Sequence, residues 1–165
     1  MSNDSNASAG SDAASTPSDE ATPAAATEAA LTIAQFPEKL AVVRLGPGSE
    51  VPSWAESSSV FSVTATALET SVICASRSVP TKSVHRRPFA GFAVASEIDP
   101  ADAGVLISLL TPLADAGISV FVSSTHDTHW FLVPLSSADE AAEVWRRRGH
   151  KVGPATPIRT RPGKS

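Results

Sequence analysis

FAGFAVASEIDPADAGVLISLLTPLADAGISVFVSSTHDTHWFLVPLSSADEAAEVWRRRGHKV, residues 89–152, is the stretch whose reading decides the fold. Phe89–Ala95 is a run of small and aromatic residues that reads as a strand, and Gly91 within it predicts close approach of another backbone. Asp99-Pro100-Ala101-Asp102 carries a helix start: an Asp cap, proline at the first position, and an acid three residues after the cap. Val105, Leu106, Leu109, Leu110 and Leu113 follow at helical spacing up to Gly117, with Pro112 expected to kink the helix or weaken it. Ile118–Ser124 and Trp130–Val133 read as strands joined by the polar turn Thr125–His129. Ser137-Ala138-Asp139-Glu140 has the capping-box pattern and opens a helix through Trp145. Arg146, Arg147 and Arg148 complement the negative helix end, Gly149 stops it, and Lys151-Val152 begins a last short strand. Strand, helix, strand, strand, helix, strand is the ferredoxin-like order, so the fold class is α+β.

Upstream, Leu40–Leu45 reads as a strand ended by Gly46-Pro47-Gly48, and Val51–Ala55 as a connection with one helical turn after Pro52. In Val60–Thr66 the apolar Phe61, Val63 and Ala65 alternate with Ser62, Thr64 and Thr66, the period of a half-buried strand. Thr70–Cys74 is a further strand, close enough to make a hairpin with it. Ser76–Pro88, with prolines at 80 and 88 and four basic residues, reads as a loop. This first half looks like a second unit of the same kind whose helices have shrunk. A displacement of 59 residues supports that reading: Thr66 falls on Thr125, Glu69 on Thr128, and Ser71–Cys74 on Trp130–Val133.

The chain has 165 residues, 42% hydrophobic and 18% charged, which suits a globular protein and excludes a fully disordered or collagen-like one. Residues 1–30 hold ten Ala, six Ser and three Thr but no Leu, Ile, Val, Phe or Trp, so an Ala/Ser-rich disordered tail is expected there. The division expected is then residues 31–88, residues 89–155, and a loose basic tail at 156–165. The net charge of −4 is distributed as −5 over residues 1–30, −6 over 31–143 and +7 over 144–165. That pattern excludes a uniformly basic nucleic-acid binder, and the basic end reads as a solvated tail. No apolar run reaches the ~18 residues of a membrane span, and the N-terminal stretch lacks the marks of a secretory or transit peptide. A reducing cytoplasm is the expected compartment.

No catalytic set is legible. There is no Gly-x-Ser-x-Gly elbow, and Gly163-Lys164-Ser165 lacks the upstream glycine of a phosphate loop. The lone Cys74 excludes an internal disulfide and reads as a small core residue. His126-x-x-His129 has a metal-like spacing but no third ligand, so it reads as a polar turn. Trp130 reads as core or subunit interface. The expectation is a protein that is not an enzyme and carries no cofactor or metal. Ser123-Ser124-Thr125-His126-Asp127-Thr128 is the densest polar run outside the tail. Its hydroxyls and amides suit a carboxylate and Asp127 suits an ammonium; it also has the composition of an ordinary Asp-containing turn, which is the commoner case.

Val42-Val43-Arg44-Leu45, Pro52-x-Trp54-Ala55, Phe61-Ser62-Val63-Thr64-x-Thr66 and Glu69-x-Ser71-Val72-Ile73-Cys74 with Val79-Pro80 resemble the first half of small bacterial CASTOR-type ACT-domain proteins. Gly104-Val105-Leu106, Leu113–Phe121, and Ser124-Thr125-x-Asp127-Thr128 with Leu132-Val133 resemble the second half. The resemblance implies tandem ferredoxin-like ACT units packed side by side, akin to the regulatory domains of aspartate kinases. It implies a free amino acid, or a related small molecule, held where the units join. Carried over residue by residue, the site would comprise Ser62, Val63 and Thr64 from the first hairpin, and Ala103, Gly104, Val105 and Leu106 at the opening of the helix. Ser123, Ser124, Thr125, Asp127 and Thr128 of the turn would complete it. The chain departs from the family at Ala65, Leu68, His129, Trp130 and the loop Asp99–Ala103. The alternative is a ligand-free ACT-like module that pairs with a second copy or a client protein, without nucleic acid or membrane as a partner.

Overall fold

The computed structural model describes residues 30–96, 98 and 104–156. The expected N-terminal and C-terminal tails, the helix start at Asp99–Asp102 and the site residue Ala103 fall outside them. The strands are β1 (Thr32–Leu45), β2 (Ser62–Ala65), β3 (Thr70–Ala75), β4 (Val84–Val94), β5 (Phe121–Ser124), β6 (His129–Pro134) and β7 (Lys151–Pro154). The helices are α1 (Gly104–Asp115) and α2 (Ala138–Arg147), with single 3-10 turns at Ser53–Ala55, Ser76–Ser78 and Leu135–Ser137. All seven strands form one sheet in the order β2-β3-β1-β4-β6-β5, with β7 parallel to the start of β1. The architecture is α+β and ferredoxin-like, as the strand and helix order predicts.

Two strands are longer than their sequence suggests. β1 begins at Thr32, well before Leu40, because its first residues are held from both sides: Thr32–Gln35 pair with β7, and Ile33–Gln35 also with the end of β4. β4 begins at Val84, so Val84–Pro88 is strand and not loop. Val84, His85 and Arg86 pair with Arg44, Val43 and Val42, and tertiary pairing overrides a local composition rich in Arg and Pro. β4 thus runs through residues 88 and 89, and β1 and β4 form the antiparallel spine that both halves of the sheet share.

One face of the sheet carries the helices. Ile33, Phe92, Phe131 and Val133 pack there against Leu109 and Leu113 of α1 and Ala141 and Trp145 of α2. Trp145 is fully buried and its indole N–H donates to the Leu109 carbonyl (2.9 Å). Both helices end as their glycines predict. Gly117 and Gly149 take φ of +70° and +91°, and the amides of Ile118 and His150 return to the Leu113 and Trp145 carbonyls. α1 runs through Pro112, and the Ser108 hydroxyl turns back onto the Val105 carbonyl. The capping box of α2 does not form: a 3-10 turn runs straight into the helix, and Ser137 makes no side-chain cap. Asp139 and Glu140 still lie in its first turn, where the helix dipole favours them.

Under the first half, Ala41, Val43, Val72 and Cys74 form a smaller cluster with Ala55 and Val79. The other face of the sheet holds Leu40, Phe89 and Leu132, flanked by Phe36, Val42, Ile73 and Trp130, and among the described residues none from a helix joins them.

The 59-residue displacement is exact at the level of structure. Adding 59 to β2, β3 and the following 3-10 turn gives β5, β6 and theirs, with the same hairpin register.

Candidate functional site

The sequence-predicted turn lies where β4 ends. Thr128 Oγ1 donates to the Val94 carbonyl (2.6 Å), fixing the β5–β6 turn to the last residue of β4, from which the chain leads on to α1. Within the turn, the Thr125 amide donates to the Thr128 carbonyl (2.9 Å) and the Thr128 amide donates to Thr125 Oγ1 (3.2 Å). Thr125 Oγ1 itself donates to the Thr128 carbonyl (3.3 Å). These threonines therefore hold the backbone of the turn. Asp127 stands at its tip with its side chain 89% exposed, beside His126 Nδ1 (2.6 Å). Ser124 Oγ meets His129 Nδ1 (2.8 Å) and Ser123 is half-buried in β5. The two histidines thus bond to different neighbours, and among the described residues no three His, Cys, Asp or Glu side chains converge as a metal site would need.

At α1, Gly104 opens the helix and is exposed, Val105 is buried in the helical core, and Leu106 packs partly against it. Ser62, Val63 and Thr64 lie on β2, at the opposite end of the sheet from β5. Four strands separate the two, or roughly 24 Å along the sheet at the usual strand spacing. The chain therefore brings the turn to the end of β4 that leads into α1, and leaves the β2 residues at the other edge.

The equivalent turn at that edge has the same internal bonds. The Thr66 amide donates to the Glu69 carbonyl (2.8 Å), Thr66 Oγ1 donates to it as well (3.0 Å), and the Glu69 amide donates to Thr66 Oγ1 (3.1 Å). Here the last turn residue is an acid, and Glu69 Oε2 pairs with Arg44 Nε at 2.7 Å. An open cleft of about 450 Å³ adjoins it, lined by Val42, Arg44, Glu69, Ser71, Val84, Arg86 and Phe121 among others. The cleft is not legible in the sequence, because Arg86 sits in a stretch with the composition of a loop. Only its pairing to Val42 puts it on the same sheet face as Arg44.

A third polar cluster is structural. Glu38 on β1 accepts from Ser58 Oγ (3.0 Å), the Ser59 amide (2.7 Å) and Ser59 Oγ (2.6 Å), and pairs with Arg77. Burial alone would raise its carboxyl, but the bonds from Ser59, Arg77 and Ser58 outweigh that and lower it to about 2. Cys74 is fully buried, and burial, helped by the negative charge of Glu38, pushes its thiol up. That is the reverse of what a thiolate nucleophile requires.

Residues 86–147 match the family model described as the ACT domain, and residues 38–82 match a model described as an N-terminal domain. No curated protein matches the chain. Among solved structures, a structural-genomics target from Agrobacterium tumefaciens is similar at TM-score 0.72 and 22% identity, over 80% of this chain and 98% of that one. A Vibrio cholerae protein described as a possible transport protein follows at TM-score 0.59 and 11% identity, over 72% and 90% of the two chains. The regulatory subunit of aspartate kinase from Thermus flavus aligns at TM-score 0.54 and 10% identity, over 73% and 99%. At these identities the likeness is one of fold. Sheet, helices and the family model over residues 86–147 agree, and the fold is α+β and ferredoxin-like, ACT-like over that stretch.

Proposed function

We propose that this is a small, non-enzymatic regulatory protein of the cytoplasm, of the CASTOR type with tandem ACT units, that binds a free amino acid or a close relative. The observation that carries the reading is the β5–β6 turn. Thr128 ties the loop to the end of β4 and Thr125 closes it, and the amides of His126 and Asp127 make no hydrogen bond among the described residues. A carboxylate can take those amides while Asp127, the one acid between Asp115 and Asp139, takes the ammonium. Gly104 stands at the opening of α1, on the path leading from the same end of β4. Ser62–Thr64 belong to the family pattern and are the weaker part of the site, because the sheet order sets them apart from the turn.

The test is calorimetry with an amino acid that stabilises the protein, comparing the parent with Asp127→Ala and with Glu56→Ala as a surface control. Loss of one charge-assisted contact costs ~1.5–3 kcal/mol, so Asp127→Ala should weaken binding roughly tenfold to a hundredfold. Equal affinity in all three proteins would remove Asp127 from the site.

One observation favours a second reading, a ligand-free module that pairs with another copy or a client. The sheet face without helices exposes apolar surface, with Phe121 39% accessible. Light scattering across concentrations distinguishes the two, since a self-pairing module gains mass without ligand.

A further inference from the structure

The cleft beside the β2–β3 turn has a charge pattern that the β5–β6 turn lacks. Arg86 is opposite Val42 and Arg44 is opposite Val84, so the two guanidiniums are diagonal neighbours on one face of the β1–β4 pair. Arg44 is paired with Glu69; the Arg86 side chain has no hydrogen bond or ion pair among the described residues. Two cations and one carboxylate leave a net positive charge in an open cleft of about 450 Å³, within the roughly 300–1,000 Å³ typical of small-molecule sites. Phe121, from the other half of the chain, and Val84 supply apolar wall. The complementary molecule has two carboxylates, one ammonium and a short hydrocarbon link.

We propose that this cleft binds a small acidic α-amino acid. One carboxylate meets Arg86, the ammonium meets Glu69, and the second carboxylate takes the Arg44 guanidinium that Glu69 otherwise holds. The methylenes lie against Phe121 and Val84. The inference rests on the small-ligand reading above but places a site at the other hairpin, related to the first by the 59-residue repeat.

The experiment is calorimetry of the full chain with L-glutamate, L-aspartate and succinate. It compares the parent with Arg86→Gln, Glu69→Gln, Asp127→Ala and the surface control Glu56→Ala, each checked for an unchanged melting curve. The expected result is binding of at least one of the two amino acids, weakened tenfold to a hundredfold by Arg86→Gln and by Glu69→Gln and unaltered by Glu56→Ala. Succinate, which offers Glu69 no ammonium, should bind at least tenfold more weakly. Absence of heat with both amino acids at millimolar concentration would overturn the proposal, and so would undiminished affinity in Arg86→Gln. Succinate binding as tightly as the amino acid would overturn the assigned class. Loss of binding in Asp127→Ala with affinity retained in Arg86→Gln would place the ligand at the β5–β6 turn, which refutes the cleft while sparing the broader reading.

Discussion

Gly91 is paired with Leu132 in the centre of β4, and a Cβ built on it would come within 2.8 Å of Leu40 Cδ1. Sequence reading anticipates a close approach there, but the neighbour is a fully buried leucine side chain and not a backbone. Gly91→Ala must therefore displace Leu40 within a packed cluster, and overpacking of this kind costs ~1–3 kcal/mol. Denaturant unfolding should show that loss, and an unchanged midpoint would mean Leu40 has room to move. Glu38 makes a second prediction at this scale. Its carboxyl is lowered from the ordinary 4.5 to about 2, so the charged form is the one the fold stabilises. The contribution is fully present above pH 4.5 and is lost as pH falls toward 2. Urea unfolding between pH 6 and pH 2.5 should show a loss of stability in the parent that is smaller in Glu38→Gln. Nothing in the sequence around Glu38 marks it, because its partners Ser58, Ser59 and Arg77 lie 20 to 39 residues away.

The two hairpins are the element whose reading depended most on pattern, and their agreement explains what was legible. A threonine, two residues and an acceptor carbonyl form the same turn at 66–69 and at 125–128, because the hydroxyl can accept from an amide and donate to a carbonyl without distant partners. Local chemistry of that kind is visible in sequence. Thr66→Val and Thr125→Val should each cost ~1 kcal/mol, and the double variant should cost their sum, since the turns lie at opposite edges of the sheet. Thermal unfolding of the three variants checks this, and marked non-additivity would mean the halves are coupled. What was not legible is the start of β1 and of β4. Thr32–Gln35 and Val84–Pro88 have no strand pattern of their own and are strands because β7, β4 and β1 hold them. The cleft lined by Arg44 and Arg86 depends on that pairing, so it too was hidden.

At the scale of the molecule, helices cover one face of a seven-stranded sheet, while the other face presents Phe36, Trp130, Val42 and Ile73 half-buried around Leu40 and Leu132. Two turns of identical design mark its two edges, one carrying Asp127 and the other Glu69. Such a frame suits the reversible binding of a small zwitterion proposed above. Its most direct test is a thermal-unfolding screen of the full chain against each free amino acid. A ligand present at 100 times its dissociation constant stabilises by about 2.7 kcal/mol, which in a domain of this size raises the melting temperature by roughly 5–10 °C. The account predicts such a rise for at least one amino acid and none for the others at equal ionic strength. A melting temperature that no amino acid moves, at concentrations up to tens of millimolar, would contradict it.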